Sequence, residues 1–181
     1  MKNNAWTFVK YALGIVVNQL IAIVMSVFVT TVIGFFSSDG LPFFRFILTS
    51  VIYVALLYST SWRKGSSDEN RVKLGYLSDN KLRGFIAGLL AAIPGIVLAV
   101  FAFLSESGYV SFFEFMGHDG VVVINRFLNL PIGELYQFIE GRPALNILFP
   151  MVIPVVSGIS YILGRYGISV RQILIYKADK E

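Results

Sequence analysis

The 181-residue sequence contains no cysteine, a single histidine and only 11 acidic residues. Without cysteine the chain forms no disulfide, and it has neither a thiolate nucleophile nor a cysteine-based metal site. The histidine, His118, lies between two glycines with Asp119, which favours a polar turn, and it supplies too few ligands for zinc. Because enzymes draw their acid–base chemistry from histidines and paired carboxylates, we predict a non-catalytic protein that holds no cofactor.

Charged residues are also scarce, at 14% of the chain, whereas apolar residues make up 56%. A typical soluble domain carries about 25% charged residues. Four apolar stretches of this chain each reach the roughly 20 residues that a helix needs to cross the hydrocarbon core of a bilayer. We therefore predict an all-α membrane protein with four transmembrane helices, at about 11–36, 41–60, 84–104 and 144–163.

The segments that connect these spans differ in polarity. Residues 61–83 form the longest polar segment and are predicted to be a loop, and residues 164–181 form an amphipathic tail. The segment 105–142 is too interrupted to span a membrane and too apolar for a free loop. From Pro131 to Glu140 its apolar and polar residues fall on opposite faces of a helix. We therefore predict an outer interfacial helical segment that lies in the interface or caps the bundle.

Lysine and arginine are concentrated on one side of the predicted topology. The N-terminal residues hold two, the loop 61–83 holds six and the tail holds four, whereas the turn 37–40 and the segment 105–142 together hold two. Such an excess marks the cytoplasmic side of a membrane protein. We predict a multi-pass plasma-membrane protein with both termini in the cytoplasm. The charges flank spans and form no recognition motif, so we predict no nucleic-acid partner.

Small residues recur at every fourth position of the first span. Residues four apart share one ridge of a helix, and small ones allow another backbone to come close. The third span has a similar ridge in Gly84, Gly88 and Ala92. We predict that spans one and three pack together near Ala22 and Ala91, the alternative being a dimer face or an interface with another protein. The ridge of the first span comprises Gly14, Asn18, Ala22, Ser26, Thr30 and Gly34.

Three polar residues of the spans are candidate binding positions, namely Asn18, Arg45 and Asn146. An unpaired amide in hydrocarbon costs several kcal/mol, so we expect Asn18 to bond to a neighbouring helix, with a ligand or ion contact as the alternative. Arg45 is expected to reach the outer interface, or to pair with an acidic residue at the mouth of an outer cavity. Asn146 lies near the outer end of the fourth span, too far from Asn18 to meet it.

Two stretches of the chain are similar to segments of known sequences. They are Asn70–Tyr76 together with Lys81–Phe85, and Gly158–Lys177. They resemble segments of short, uncharacterised multi-pass membrane proteins of Gram-positive bacteria, and the resemblance covers about the C-terminal two-thirds of the chain. It implies a bacterial plasma membrane. It carries no activity, cofactor or functional residue with it.

Function is predicted from the small-residue ridges, the short chain and the lack of acidic residues within the spans. These features favour a non-catalytic accessory or interaction subunit of a membrane complex, or an immunity-type factor. The expected partners are the lipid bilayer and either another membrane protein or a second copy of the chain. The alternative is a small oligomeric transporter or channel component, which Asn18, Arg45 and the prolines at 150 and 154 would suit.

Overall fold

The computed structural model describes residues 2–36, 42–110, 114–115, 118–133 and 142–170. Within them the chain forms five α-helices: α1 (Lys2–Phe36), α2 (Pro42–Lys73), α3 (Arg83–Glu106), α4 (Gly120–Leu128) and α5 (Leu148–Arg165). Two short strands, β1 (Glu114–Phe115) and β2 (His118–Asp119), pair antiparallel before α4. A 3₁₀ turn (Pro143–Ile147) leads into α5. The predicted polar turn at 37–40 and the tail beyond residue 170 lie outside the described residues.

Four of these helices are long and apolar enough to cross a membrane. The membrane-length segments are Ala5–Phe35, Phe43–Lys73, Arg83–Glu106 and Ala144–Arg165. The last of them includes most of the 3₁₀ turn as well as α5. The prediction of an all-α chain with four such helices is therefore confirmed. Their outward surfaces carry many exposed large apolar side chains, among them Val24, Phe28 and Phe43. A surface of this kind suits contact with lipid rather than water.

The end of α2 differs most from the predicted boundaries. We expected the helix to end near residue 60, but it continues to Lys73, so the connection to α3 comprises only residues 74–82. Gly75 ends the helix with a φ of 75°, a left-handed conformation that glycine adopts without strain. Its N–H donates to the Val72 carbonyl at 2.9 Å, and the next N–H donates to the Arg71 carbonyl at 2.9 Å. Residues 61–73, the polar part of α2, are thus helical and continue the apolar part of the same helix.

The described part of the segment 105–142 packs at the end of the bundle where α3 finishes. Asp119 caps α4, since its carboxylate accepts hydrogen bonds from the N–H groups of Val121 at 2.9 Å and Val122 at 3.4 Å. A helix is therefore present in this segment, but at Gly120–Leu128. The helix predicted over 131–140 begins as a 3₁₀ turn at 130–133, and its residues 134–140 lie outside the described ones.

The ridge of α1 lies against other helices over most of its length. A Cβ atom added at Gly14 would be in ordinary contact with Thr60 of α2, at 3.8 Å. Ala22 and Ser26 are fully buried. At the far end of the helix a Cβ at Gly34 would meet nothing within 4 Å. The ridge is therefore internal from Gly14 to Ser26 and open at Gly34.

The glycines of α3 approach α5 rather than α1. A Cβ at Gly88 would lie 2.6 Å from the Cα atom of Pro154, and one at Gly84 would overlap a side chain of α5. Gly84 and Gly88 of the predicted ridge therefore pack on α5 and not on span one. The neighbouring small residues Ala91 and Ala92 are buried in the same apolar cluster as Ala22 of α1, and α1 and α3 do contact each other.

α2 and α5 also approach backbone to backbone, through Gly65 and Gly164. A Cβ at Gly65 would overlap the carbonyl oxygen of Tyr161, and one at Gly164 would overlap that of Trp62. Because α5 packs closely on both α2 and α3, it is the central helix of the bundle. The close approaches at Gly65 and Gly164 lie in the polar extension of α2, residues 61–73, and they bring charged residues of the two helices together.

Candidate functional site

We define the basic end of the bundle as the start of α1, the polar extension of α2, the loop 74–82, the start of α3 and the end of α5. A buried carboxylate, Asp68 of α2, lies at its centre with a side chain that is 0% exposed. Lys64 Nζ donates to Asp68 Oδ1 at 2.6 Å, and Tyr161 Oη donates to Oδ2 at 3.1 Å. Arg83 Nε lies 3.6 Å from the same Oδ2. One carboxylate therefore connects α2, α3 and α5.

α1 reaches this network through aromatic rings. The guanidinium carbon of Arg83 lies 5.6 Å from the ring centroid of Phe8. The rings of Tyr11 and Tyr161 are stacked with their centroids 6.2 Å apart. A cation over an aromatic face and a stacked ring pair both stabilise contacts between helices. All four long helices are thus connected around Asp68.

A second ion-pair group ties the loop 74–82 to the end of α5. Arg165 Nε donates to Glu69 Oε2 at 2.7 Å, with Nη2 lying 2.6 Å from the same oxygen, and Nη1 donates to Asp79 Oδ1 at 2.9 Å. Lys73 Nζ lies 3.7 Å from the other oxygen of Glu69. The side chains of Arg165 and Glu69 are only 7% and 23% exposed, so their pair is largely shielded from water and salt, whereas Asp79 is 56% exposed. The network holds the loop in place and leaves Arg165 little freedom to bind anything else.

A small cavity of about 210 Å³ lies beside this group, lined by Glu69, Asp79, Lys81, Ile162, Arg165 and Tyr166. Lys81 Nζ donates to the Tyr166 hydroxyl at 3.1 Å, and this bond raises the pKa of Lys81. In the part of the chain that the structure describes, no three His, Cys, Asp or Glu side chains come together as metal ligands. Of the charged residues of the cavity, Arg165 pairs with Glu69 and Asp79, and Lys81 donates to Tyr166.

Asn18 lies at the α1–α2 contact. Its side-chain N–H donates to the Thr60 hydroxyl, which is the bond to a neighbouring helix that an amide in hydrocarbon requires. Asn146 lies in the 3₁₀ turn before α5, at the end of the bundle opposite the basic end. There it donates to Glu106 Oε2 at 2.7 Å. The other oxygen of Glu106 lies 3.3 Å from Arg126 of α4.

Arg45 is half-buried near the start of α2, and its carbonyl oxygen accepts a hydrogen bond from the Thr49 hydroxyl at 2.9 Å.

Asn18 and Asn146 have partners at opposite ends of the bundle, so these two positions do not form one site. The three binding positions predicted from the sequence lie within the predicted spans. The polar network around Asp68 is instead centred in residues 61–83, which the sequence predicts to be a loop.

A signal for this network was present in the sequence. Lys64 and Asp68 are four residues apart, the spacing of an ion pair on one face of a helix. Gly65 is the only strong helix breaker between residues 60 and 73. The signal indicates a helix, but it does not indicate that Asp68 is buried, because burial depends on α3 and α5.

Comparison with known proteins finds no family model, no curated protein and no solved structure that matches this chain.

Proposed function

We propose that the protein is a non-catalytic accessory or interaction subunit of a membrane complex. The observation that supports the proposal is that the polar side chains of the bundle bond to one another between helices. Asn18 bonds to Thr60, Asn146 bonds to Glu106, and Asp68 is surrounded by a lysine, an arginine and a tyrosine. A catalytic or transport site needs polar groups that converge on a cavity for the substrate. Here these groups converge on each other and hold helices together.

A small oligomeric transporter or channel component is the second candidate, and one feature of α5 favours it. Pro154 lies inside the helix, where it cannot donate a hydrogen bond to the Pro150 carbonyl. One turn further on, the buried Ser157 hydroxyl has no hydrogen-bond partner among the described residues. Interrupted helices with polar groups of this kind form substrate sites in transporters.

The two candidates predict different results when the tagged protein is purified from its own membrane in a mild detergent. An accessory subunit is expected to bring a second membrane protein with it at a fixed stoichiometry, measured by native mass spectrometry. An unrelated small membrane protein with the same tag is the control for adventitious capture. A homo-oligomer that conducts ions in liposomes would instead support the transporter, and a solitary chain without flux would contradict both.

We also propose that the chain crosses the plasma membrane four times with its basic end in the cytoplasm. Support comes from the charges that flank the four helices, since twelve of the 15 lysines and arginines lie on the side of the chain that includes the basic end. The segment between α3 and α5 is proposed to cover the outer ends of the helices. It is tied to α3 by the pair Arg126–Glu106 and to α2 by a hydrogen bond from Ser50 to the Pro131 carbonyl at 3.3 Å.

Single cysteines provide a direct test of orientation, because the natural chain has none. Ser78 and Ser107 are both exposed and lie in the connections at opposite ends of α3. We expect a membrane-impermeant maleimide to label Ser107→Cys in intact cells and to label Ser78→Cys only after permeabilisation. Labelling of both variants in permeabilised cells is the control for reactivity. Labelling of Ser78→Cys in intact cells would contradict the proposed topology.

A further inference from the structure

An open groove of about 420 Å³ runs between α1 and α2 at the basic end. Four residues of each helix line it: Thr7, Lys10, Tyr11 and Gly14 of α1, and Thr60, Arg63, Lys64 and Ser67 of α2. In both sets the second, third and fourth residues follow the first by three, four and seven positions. This spacing places four residues on a single face of a helix. The groove is therefore the meeting of two helix faces, and Lys64 connects it to the carboxylate network around Asp68.

The groove is positively charged. Its lining includes three cations and no acidic residue. Lys10 and Arg63 are both exposed: Lys10 Nζ lies 5.3 Å from the ring centroid of Trp6, and Arg63 donates to the Ser59 hydroxyl at 3.3 Å. Among the residues that the structure describes, neither of these two cations contacts a carboxylate. Two positive charges on adjacent helices therefore remain available to an anion.

The chemistry of the remaining lining residues suits a phosphate. Thr60 and Ser67 bring hydroxyl groups, and the Thr60 hydroxyl, whose oxygen accepts from Asn18, keeps its own proton to donate. Lys64 lies between the groove and Asp68, with which it pairs at 2.6 Å, so its charge is already balanced. An arginine guanidinium can donate two parallel hydrogen bonds to a phosphate. Arg63 and Lys10 would then neutralise the anion, and the hydroxyls would complete its hydrogen bonds.

The groove lies at the level where the apolar part of each helix meets its polar part. On α1 the groove face continues along the apolar part with Val17 and Ile21, which are 53% and 43% exposed. Beside the groove, Trp6 is 57% exposed, and tryptophan settles at the level of lipid headgroups. A phospholipid would fit both regions at once, with its phosphate in the groove and an acyl chain along α1. Free phosphate would occupy the groove without contacting the exposed apolar face of α1 at Val17 and Ile21.

We propose that the groove between α1 and α2 is a binding site for an anionic phospholipid, with Lys10 and Arg63 as the residues that contact the phosphate. Basic pockets between membrane helices recognise lipid headgroups in this way. The site does not depend on a protein partner, so it can be tested independently of the proposed accessory role.

The test compares retention of phosphatidylglycerol and phosphatidylcholine with identical acyl chains, by native mass spectrometry of the full chain in one detergent. Wild-type protein is expected to retain one phosphatidylglycerol in preference to phosphatidylcholine. In the double variant Lys10→Gln/Arg63→Gln its affinity should fall about 30-fold, since each cation near a membrane surface contributes about 1 kcal/mol. Arg63→Lys keeps the charge and should lose less than about tenfold in affinity.

The matched control is Lys73→Gln/Lys81→Gln, which removes the same charge from exposed residues of the basic end outside the groove. It should retain phosphatidylglycerol as the wild type does, and thermal unfolding of all variants should establish that they are folded. Equal losses in the two double variants, or no preference between the two lipids, would overturn the proposal. Displacement of the lipid by millimolar inorganic phosphate would overturn the lipid assignment and point to a soluble phosphate ligand.

Discussion

Replacing Asp68 with alanine is expected to lower the free energy of unfolding by about 3–5 kcal/mol, the cost of removing one partner from a buried ion pair. The variant would remove a counter-charge from two largely buried cations, since the side chains of Lys64 and Arg83 are only 15% and 11% exposed. It would also remove the acceptor for the Tyr161 hydroxyl. Thermal unfolding in a single detergent, monitored by circular dichroism, measures the effect.

Asp79→Ala is the matched control for this prediction. Its carboxylate also pairs with an arginine, at 2.9 Å, but it is 56% exposed. Exposed ion pairs contribute at most about 1 kcal/mol, so this variant should be close to wild type. Tyr161→Phe should fall between the two, since it removes a single hydrogen bond to a charged group. Equal stabilities of Asp68→Ala and Asp79→Ala would mean that the buried network is not what joins the helices.

The four membrane-length helices could be predicted because one physical quantity, the thickness of the hydrocarbon core, sets a minimum length for an apolar run. The end of α2 could not be predicted from the same quantity. Its residues become polar near residue 60, but helical hydrogen bonds join groups four residues apart and do not depend on side-chain polarity. Gly65 does not interrupt the helix, because the missing side chain is what allows α5 to pack there.

The candidate site was harder to predict because its contacts join residues that are far apart in the chain. Tyr161 lies 93 positions from Asp68, and nothing in the sequence around either residue indicates the other. The requirement that Asn18 find a partner was predictable from the cost of an unpaired amide in hydrocarbon. The identity of that partner, Thr60, depends on how α1 and α2 are aligned.

The partner of the glycine ridge on α3 was missed for a related reason. A row of small residues indicates that some backbone comes close, but the choice of neighbour depends on which surface fits it. α5 presents Pro154, Ser157 and Gly158, which are small or compact and lie opposite α3. α1 contributes Ala22 to the same buried cluster without making the closest approach.

Adding a single methyl group at Gly88 tests this corrected packing. Gly88→Ala is expected to lower the free energy of unfolding by about 1–3 kcal/mol, the usual cost of overpacking. The new Cβ would lie 2.6 Å from the Cα atom of Pro154, and a backbone atom cannot rotate away as a flexible side chain can. The helices would have to separate along a contact that also includes Gly84.

Gly34→Ala is the matched control, since it makes the same change in a helix of membrane length where nothing lies within 4 Å of the new Cβ. Alanine favours a helix over glycine by about 1 kcal/mol, so this variant should be neutral or slightly more stable. Thermal unfolding of both variants in the same detergent gives the comparison. Because the gain in helix propensity acts at both positions, the difference between them isolates the contact with α5. If Gly88→Ala were as stable as Gly34→Ala, α3 and α5 would not be in backbone contact at this position.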